Sequence, residues 1–322
     1  MEHRPLGRTS LFVSPLTLGT MTFGSQVDEA AARSMIDLCL ERGVNFIDTA
    51  NVYNGGESET ILGNVLVGRR DKVVLATKVG IKLGDGADDH GLSQSAILKG
   101  IEGSLRRLRT DYVDLFYLHT PDYSVPLAES LESLDGLVRS GKVRYIAASN
   151  YAAWQLTQML WLTEKNNWQP IAAVQPMYNL IARGIEQELL PMCREFGLAV
   201  IPYNPLAGGL LTGKHQANAP IEGSRFTRMP LYRDRYWHAA NFEAMQQLTE
   251  IAAAEARSLT RLAIRWVFSQ PAITSVILGA SRLEHLQENL AALDDPPLSA
   301  ESLAACDRVW STLRGVSPAY NR

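Results

Sequence analysis

Eight short apolar runs recur along the chain, and their rhythm constrains the fold more than any other feature. They are PLTLGT at residue 15, VNFIDTA from 44, VVLATKV from 73, VDLFYLH from 113, VRYIAASN from 143, IAAVQPMY from 171, LAVIPYN from 198 and ITSVILGA from 273. Each is nearly continuous in Val, Ile, Leu and Phe, as a strand buried on both faces must be. Amphipathic stretches separate them. DEAAARSMIDLCLERG from Asp28 puts Ala32, Met35, Ile36 and Cys39 on one face and stops at Gly43. SQSAILKGIEGSLRRL opens on the cap residue Ser93, SLESLDGLVRSGK runs into Gly141, and SRLEHLQENLAAL starts at Ser281. Strands alternating with helices pair in parallel through right-handed crossovers. A closed (β/α)8 barrel fits best, and an open doubly wound sheet is the alternative. The expectation is an α/β TIM barrel forming a single domain over residues 1–322, with a short N-terminal β-hairpin and a C-terminal tail over the active-site mouth.

Composition excludes several function classes. With 322 residues, 46% of them hydrophobic, the chain can bury a large core. A net charge of −3 and a pI near 6.1 give no basic footprint for nucleic acid or an anionic membrane. No apolar run approaches the roughly 20 residues of a membrane helix. The N-terminus, MEHRPLGRTS, lacks the apolar core of a signal peptide. Cys39, Cys193 and Cys306 are odd in number and lie in apolar surroundings, so they read as reduced core thiols of a cytoplasmic protein. Residues 216–232 read as a long functional loop.

In a barrel, chemistry collects at the C-terminal ends of several strands. Four consecutive runs here end in polar residues: Asp48 with Tyr53 beyond it, Lys78, His119, and the pair Ser149 and Asn150. Taken singly, each has a plain reading: a turn-capping Asp, a solvated Lys, a packing His. Together they form a proton-handling set. A phenol ionises near pH 10, too high for easy exchange at neutral pH. An ammonium beside it favours the phenolate, so Lys78 is expected to lower the Tyr53 pKa. Asp48 would keep Lys78 charged and oriented, and His119 would orient a carbonyl oxygen. Such a set donates a proton to a developing alkoxide, and the matching hydride needs a cofactor.

No G-x-G-x-x-G follows the first strand, so a Rossmann site is unsupported. GGLLTGKH at 208–215 mimics a P-loop, but His215 stands where a magnesium-binding Ser or Thr is required. A better anion site is the turn and helix start in VILGASRLEHLQEN, with Ser281 and Arg282. Tyr203 could stack on a nicotinamide, or be an ordinary barrel-top aromatic. Gln175 could bond a carboxamide.

These residues resemble the aldo-keto reductase superfamily over almost the whole chain. GTMTFG, FIDTANVY, the Thr-Lys at 77–78, DLFYLH, Ser149-Asn150, Gln175, YNPLAGGLLTGK and the Gly-Ala-Ser turn fall in the family's order. The resemblance implies a (β/α)8 barrel, NADPH (NADP+) as cofactor, and a catalytic tetrad of Asp48, Tyr53, Lys78 and His119 with Tyr53 as proton donor. It implies nicotinamide contacts from Ser149, Asn150, Gln175 and Tyr203. Diphosphate contacts would come from Asn204, Pro205, Leu206, Gly208, Gly213 and Lys214. Adenosine-phosphate contacts would come from Arg225, Ser281, Arg282, Glu288 and Asn289, with further cofactor positions at Thr20, Met21, Asp48, Gly279 and His285. Arg282 and His285 depart from the residues common in related sequences.

The runs FIDTANVYNGGESETILG, VDLFYLHTPDYSVPLAESL, SNYAAWQ, YRDRYW and the final PAYNR look like the branch of aflatoxin-aldehyde and succinic-semialdehyde reductases. That branch implies that Tyr232, Arg235 and Arg322, with His119, contact the substrate, reading a carboxylate or second carbonyl. Two arginines can clamp a carboxylate at roughly 1.5–3 kcal/mol each; otherwise YRDRYW is a solvated charged loop and Arg322 a frayed end. The expected activity is NADPH-dependent reduction of aldehydes and some ketones, favouring short acids such as succinic semialdehyde, in a cytoplasmic homodimer without metal. The alternative is an NADPH-binding regulatory module of the potassium-channel β-subunit type, against which His119 counts, since those subunits commonly carry asparagine there. An isomerase or aldolase on the same barrel lacks a metal cluster or a second strand-end lysine.

Overall fold

The computed structural model describes residues 1–316. A two-stranded hairpin comes first, β1 (Arg4–Pro5) against β2 (Phe12–Val13). The barrel strands are β3 (Leu16–Gly19), β4 (Phe46–Asp48), β5 (Val74–Val79), β6 (Val113–Leu118), β7 (Val143–Ser149), β8 (Ile171–Gln175), β9 (Ala199–Val200) and β10 (Val276–Gly279). Around them lie α1 (Glu29–Glu41), α2 (Glu57–Val65), α3 (Gln94–Leu108), α4 (Leu127–Arg139), α5 (Ala153–Asn166), α6 (Leu189–Phe196), α7 (Arg225–Arg228), α8 (Pro230–Tyr236), α9 (Ala239–Ala254), α10 (Leu259–Phe268), α11 (Leu283–Asp294) and α12 (Ala300–Arg314).

The eight barrel strands are parallel and ordered β10-β3-β4-β5-β6-β7-β8-β9. The ends of that sheet meet: Thr274 N–H donates to Val200 O and Ile277 N–H to Pro202 O, both at 2.9 Å, which closes the (β/α)8 barrel. The closing strand β9 is two residues long because Pro202 has no N–H to continue a ladder.

Side chains alternate between two cores. Phe46, Val74, Ala76, Leu115, Tyr117, Ala147, Ala173 and Ile277 fill the barrel interior. The hairpin plugs its lower end with Leu6 and Val13, both fully buried. The other strand residues pack against the helices in a larger cluster. In α1 the buried face is Ala32, Met35, Ile36 and Cys39, and Asp28 caps the helix by accepting from Ala31 N–H at 2.8 Å. The three cysteines are free and buried, and burial pushes the Cys39 and Cys193 thiols up to about 12.

Residues 216–232 depart from the loop expected of them. They contain α7 and the first turn of α8, where Pro230 supplies a favoured first helical residue. Among the described residues no helix is long and apolar enough to cross a membrane. The C-terminal tail and Arg322 lie outside the described residues.

Candidate active site

Strand ends carry the chemistry because each barrel ladder stops where its last residue meets the next loop. Asp48 closes β4 and Lys78 sits one residue from the end of β5; both are buried in the barrel's upper interior. Tyr53 arrives from a tight turn, Tyr53–Gly56, in which Asn54, Gly55 and Gly56 all take left-handed backbone angles (φ 51°, 66° and 95°). His119 follows β6.

Four predicted residues converge. The Lys78 ammonium donates to the Asp48 carboxylate, to Thr49 O at 2.7 Å and to the Tyr53 hydroxyl at 3.3 Å. The His119 and Tyr53 rings stand edge to face with centroids 6.0 Å apart. Gln175, closing β8, donates to the free oxygen of Asp48 at 2.9 Å.

Burial governs the protonation states. It would lower the Lys78 pKa, but Asp48 and Tyr53 outweigh it and hold the ammonium charged. Burial also pushes the Asp48 carboxyl up, opposed by Lys78 and by the Gln175 amide. For Tyr53 the outcome corrects the sequence reading. Lys78 does pull the phenol down, yet burial outweighs it and Asp48 adds to the rise, so the Tyr53 pKa stands above its ordinary value. The ammonium is already shared with a carboxylate, which weakens its leverage on the phenol. Tyr53 therefore keeps its proton at neutral pH and has one to give, with the Lys78 ammonium beside the hydroxyl.

His119 is pushed down to about 3 by burial and by Lys78, and its Nδ1 is buried without a partner among the described residues. It is a neutral ring with a buried nitrogen free to bond. An unfolded imidazole titrates near pH 6.5, so between roughly pH 3 and 6.5 the unfolded chain binds the extra proton. Stability should thus fall as pH drops through that window, by on the order of 5 kcal/mol in full. Denaturant unfolding at about pH 7 and about pH 4 checks this. His119→Asn is expected to lose less stability on acidification than the parent chain; equal losses would mean the ring is freely protonated in the folded protein.

The other expected residues ring this centre. Ser149 donates to Gln175 O at 2.9 Å, and Asn150, in a left-handed conformation, donates to His119 O at 2.9 Å. Tyr203 donates to Asn150 Oδ1 at 2.7 Å. Burial raises the Tyr203 phenol, with the nearby Arg235 charge pulling the other way, so Arg235 lies near the mouth. Tyr232 stands close enough to push the Tyr53 phenol further up, and Arg225 lies over its ring at 4.9 Å.

Thr20 is fully buried, its hydroxyl shared between Asp48 O and Ser58. Met21, half-buried, accepts from the Asn54 amide through its carbonyl at 2.9 Å. Thr49, Ser58 and Glu59 are also fully buried in this region. Sequence reasoning missed all three, although for Ser58 and Glu59 polar residues on the inner face of α2 were the available signal.

Two features fit a dinucleotide. The chain from Asn204 to Gly213 turns on left-handed residues Asn204, Ala207, Gly208, Gly209 and Gly213; a Cβ at Gly208 would stand 2.7 Å from the Tyr232 ring. Pro205 is buried in this loop, Leu206 half-buried and Lys214 exposed. Beyond β10, whose last residue is Gly279, helix α11 starts at Leu283 with no side chain capping it. Arg282, His285 and Glu288 there are exposed, Ser281 hydrogen-bonds His285 at 3.2 Å, and Asn289 reaches Gly279 O. An uncapped helix start beside Ser and Arg suits a phosphate. His215 is no magnesium-site residue: it is buried edge-on to Phe226 and Trp237.

A closed parallel barrel with a buried Lys-Asp pair and a protonated phenol at its mouth is an oxidoreductase scaffold. The chain belongs to the aldo/keto reductase family, whose model matches residues 15–311. It is 36% identical to "Aflatoxin B1 aldehyde reductase member 2" of Rattus norvegicus, over 95% of this chain and 87% of that one. It is 38% identical to "Aldo-keto reductase family 7 member A3" of Homo sapiens, over 95% and 96%. A "Probable voltage-gated potassium channel subunit beta" of Arabidopsis thaliana is 36% identical over 92% and 93%. Members of this family use a nicotinamide dinucleotide, and its substrates are small carbonyl compounds.

Proposed function

We propose that this protein reduces aldehydes to alcohols with NADPH, Tyr53 donating the proton. The observation that carries the reading is the phenol held protonated 3.3 Å from a buried ammonium. A nicotinamide held there would supply the hydride to the carbonyl carbon. The protein's residues do the rest. The neutral His119 ring hydrogen-bonds the carbonyl oxygen and orients it. As that oxygen gains charge it becomes a stronger base than the phenolate, and the Tyr53 proton passes to it. Lys78, kept charged by Asp48, then stabilises the phenolate.

The residues that would hold the cofactor are Asn150, Gln175 and Tyr203 at the nicotinamide end and the loop through Gly208 and Gly213 at the diphosphate. Ser281 and Arg282 at the start of α11 would take the adenosine phosphate, which supports NADPH over NADH. The test is consumption of the reduced nicotinamide over a panel of aldehydes. Turnover with NADPH supports the reading. Binding of NADPH without oxidation by any aldehyde would overturn it in favour of a regulatory nucleotide-binding module, the reading that the potassium-channel relatives keep open.

Charge at the mouth bears on the substrate. Arg235 beside Tyr203 and Tyr232 beside Tyr53 support a substrate carrying a distal carboxylate, such as succinic semialdehyde. Arg235→Ala should raise KM for that acid by roughly 10–150-fold, the equivalent of 1.5–3 kcal/mol for one charge-assisted bond. An uncharged aldehyde of equal length should be little affected. Equal effects on both substrates would remove Arg235 from carboxylate recognition.

A further inference from the structure

Glu59 and Arg107 take no part in the chemistry above, yet both are placed where a surface helix has no need of them. Glu59 belongs to the first turn of α2, where an acidic side chain usually faces water and meets the positive end of the helix. Here it is fully buried. It accepts from the Thr77 hydroxyl and from Arg107 Nε at 2.8 Å, the latter within an ion pair. Thr77 precedes Lys78 on β5, so the two side chains point to opposite faces: Lys78 into the barrel, Thr77 out towards α2 and α3.

Arg107 comes from the last turn of α3 and lies in a path lined by glycines. A Cβ at Gly56 would stand 2.9 Å from Arg107 Cδ, and one at Gly103 would stand 3.1 Å from its Nη1. A Cβ at Gly63 would meet the Arg107 carbonyl oxygen at 2.1 Å. Gly56 is also the last residue of the turn that carries Tyr53.

That turn has no strand ladder to fix it, and its last three residues are left-handed. The separation of Tyr53 from Lys78 therefore depends on how α2 docks against β5. Ser58 ties the helix to Thr20 and Thr49. Glu59 ties it to the residue beside Lys78, and Arg107 packs against the turn itself. We propose that Glu59, Thr77 and Arg107 are positioning residues that hold the Tyr53 phenol against the Lys78 ammonium. An apolar trio of the same volume would stabilise the fold as well or better, but would set no such register.

The inference rests on Tyr53 being the proton donor, so its test has one readout that needs no turnover. Thr77→Val keeps the shape and removes the hydroxyl. It should lower kcat about tenfold, equivalent to about 1.4 kcal/mol, with NADPH affinity unchanged, and Thr77→Ser should restore most of it. The tyrosinate titration that disappears in Tyr53→Phe, followed by ultraviolet absorbance without substrate or cofactor, should move to higher pH as the ammonium withdraws. Arg107→Lys, which loses the planar fork, should show the same pattern should the valine variant not fold. A merely structural role would lower the melting temperature and leave both readouts in place. Wild-type kcat with an unmoved Tyr53 titration in the folded variant overturns the proposal. Absence of aldehyde reduction by the parent chain overturns the reductase reading instead, and the titration still decides the latch.

Discussion

Tyr53→Phe is expected to lower kcat by two to four orders of magnitude, the range that a positioned proton donor contributes. The substitution removes one oxygen and keeps the ring that stands edge-on to His119. NADPH affinity should not change, because the phenol lies on the carbonyl side of the reaction. The bond it makes tightens only as negative charge grows on the substrate oxygen, so kcat and kcat/KM should fall together. The direction of the Tyr53 shift adds a pH signature. Because burial holds the phenol above its ordinary value near 10, the parent enzyme's reduction rate should be level through neutrality and fail only in strong alkali. The reverse reaction, alcohol oxidation, needs the phenolate and should rise with pH over the same range. Steady-state rates in both directions across pH, with cofactor titration of the variant, check these expectations. Normal turnover in Tyr53→Phe would end the case for this residue as donor.

The parts of the site that were readable in the sequence are those that backbone pattern dictates. Strands buried on both faces read as unbroken apolar runs, so a polar residue ending one, such as Asp48, Lys78 or His119, stands out against its neighbours. Barrel topology then brings consecutive strand ends together without further information. What the pattern hides is depth. The ESET of α2 reads as an exposed helix start, while Ser58 and Glu59 are fully buried. The glycines that make room for Arg107 are scattered over two helices and a turn, so no local spacing reveals them. Depth also decided the sign of the Tyr53 shift: a lysine near a phenol is legible, but the burial that outweighs it is a property of the folded volume. The helices α7 and α8 were missed because their residues are short of apolar periodicity, and the second begins on a proline.

Lys78→Met should damage the fold and the chemistry at once, and the two effects can be separated. Lys78 and Asp48 have side chains 0% and 4% exposed. Removing the cation strands a carboxylate in the barrel interior with, among the described residues, only the Gln175 amide as side-chain partner, a loss of about 3–5 kcal/mol for a broken buried pair. Asp48→Asn should be milder in activity, since Thr49 O and the Tyr53 hydroxyl still receive the amine, but an ammonium without its counter-ion loses charge more readily in a buried site. Replacing both, as Lys78→Met with Asp48→Leu, removes the uncompensated charge and should recover most of the lost stability, because well-packed apolar residues can replace a buried pair at little penalty. Turnover should not return with it. Denaturant melts of the two single variants and the double, beside their reduction rates, test the separation. A double variant that is stable and also active would show that the phenol needs no cation to give up its proton, and the barrel's buried pair would then be a folding device alone.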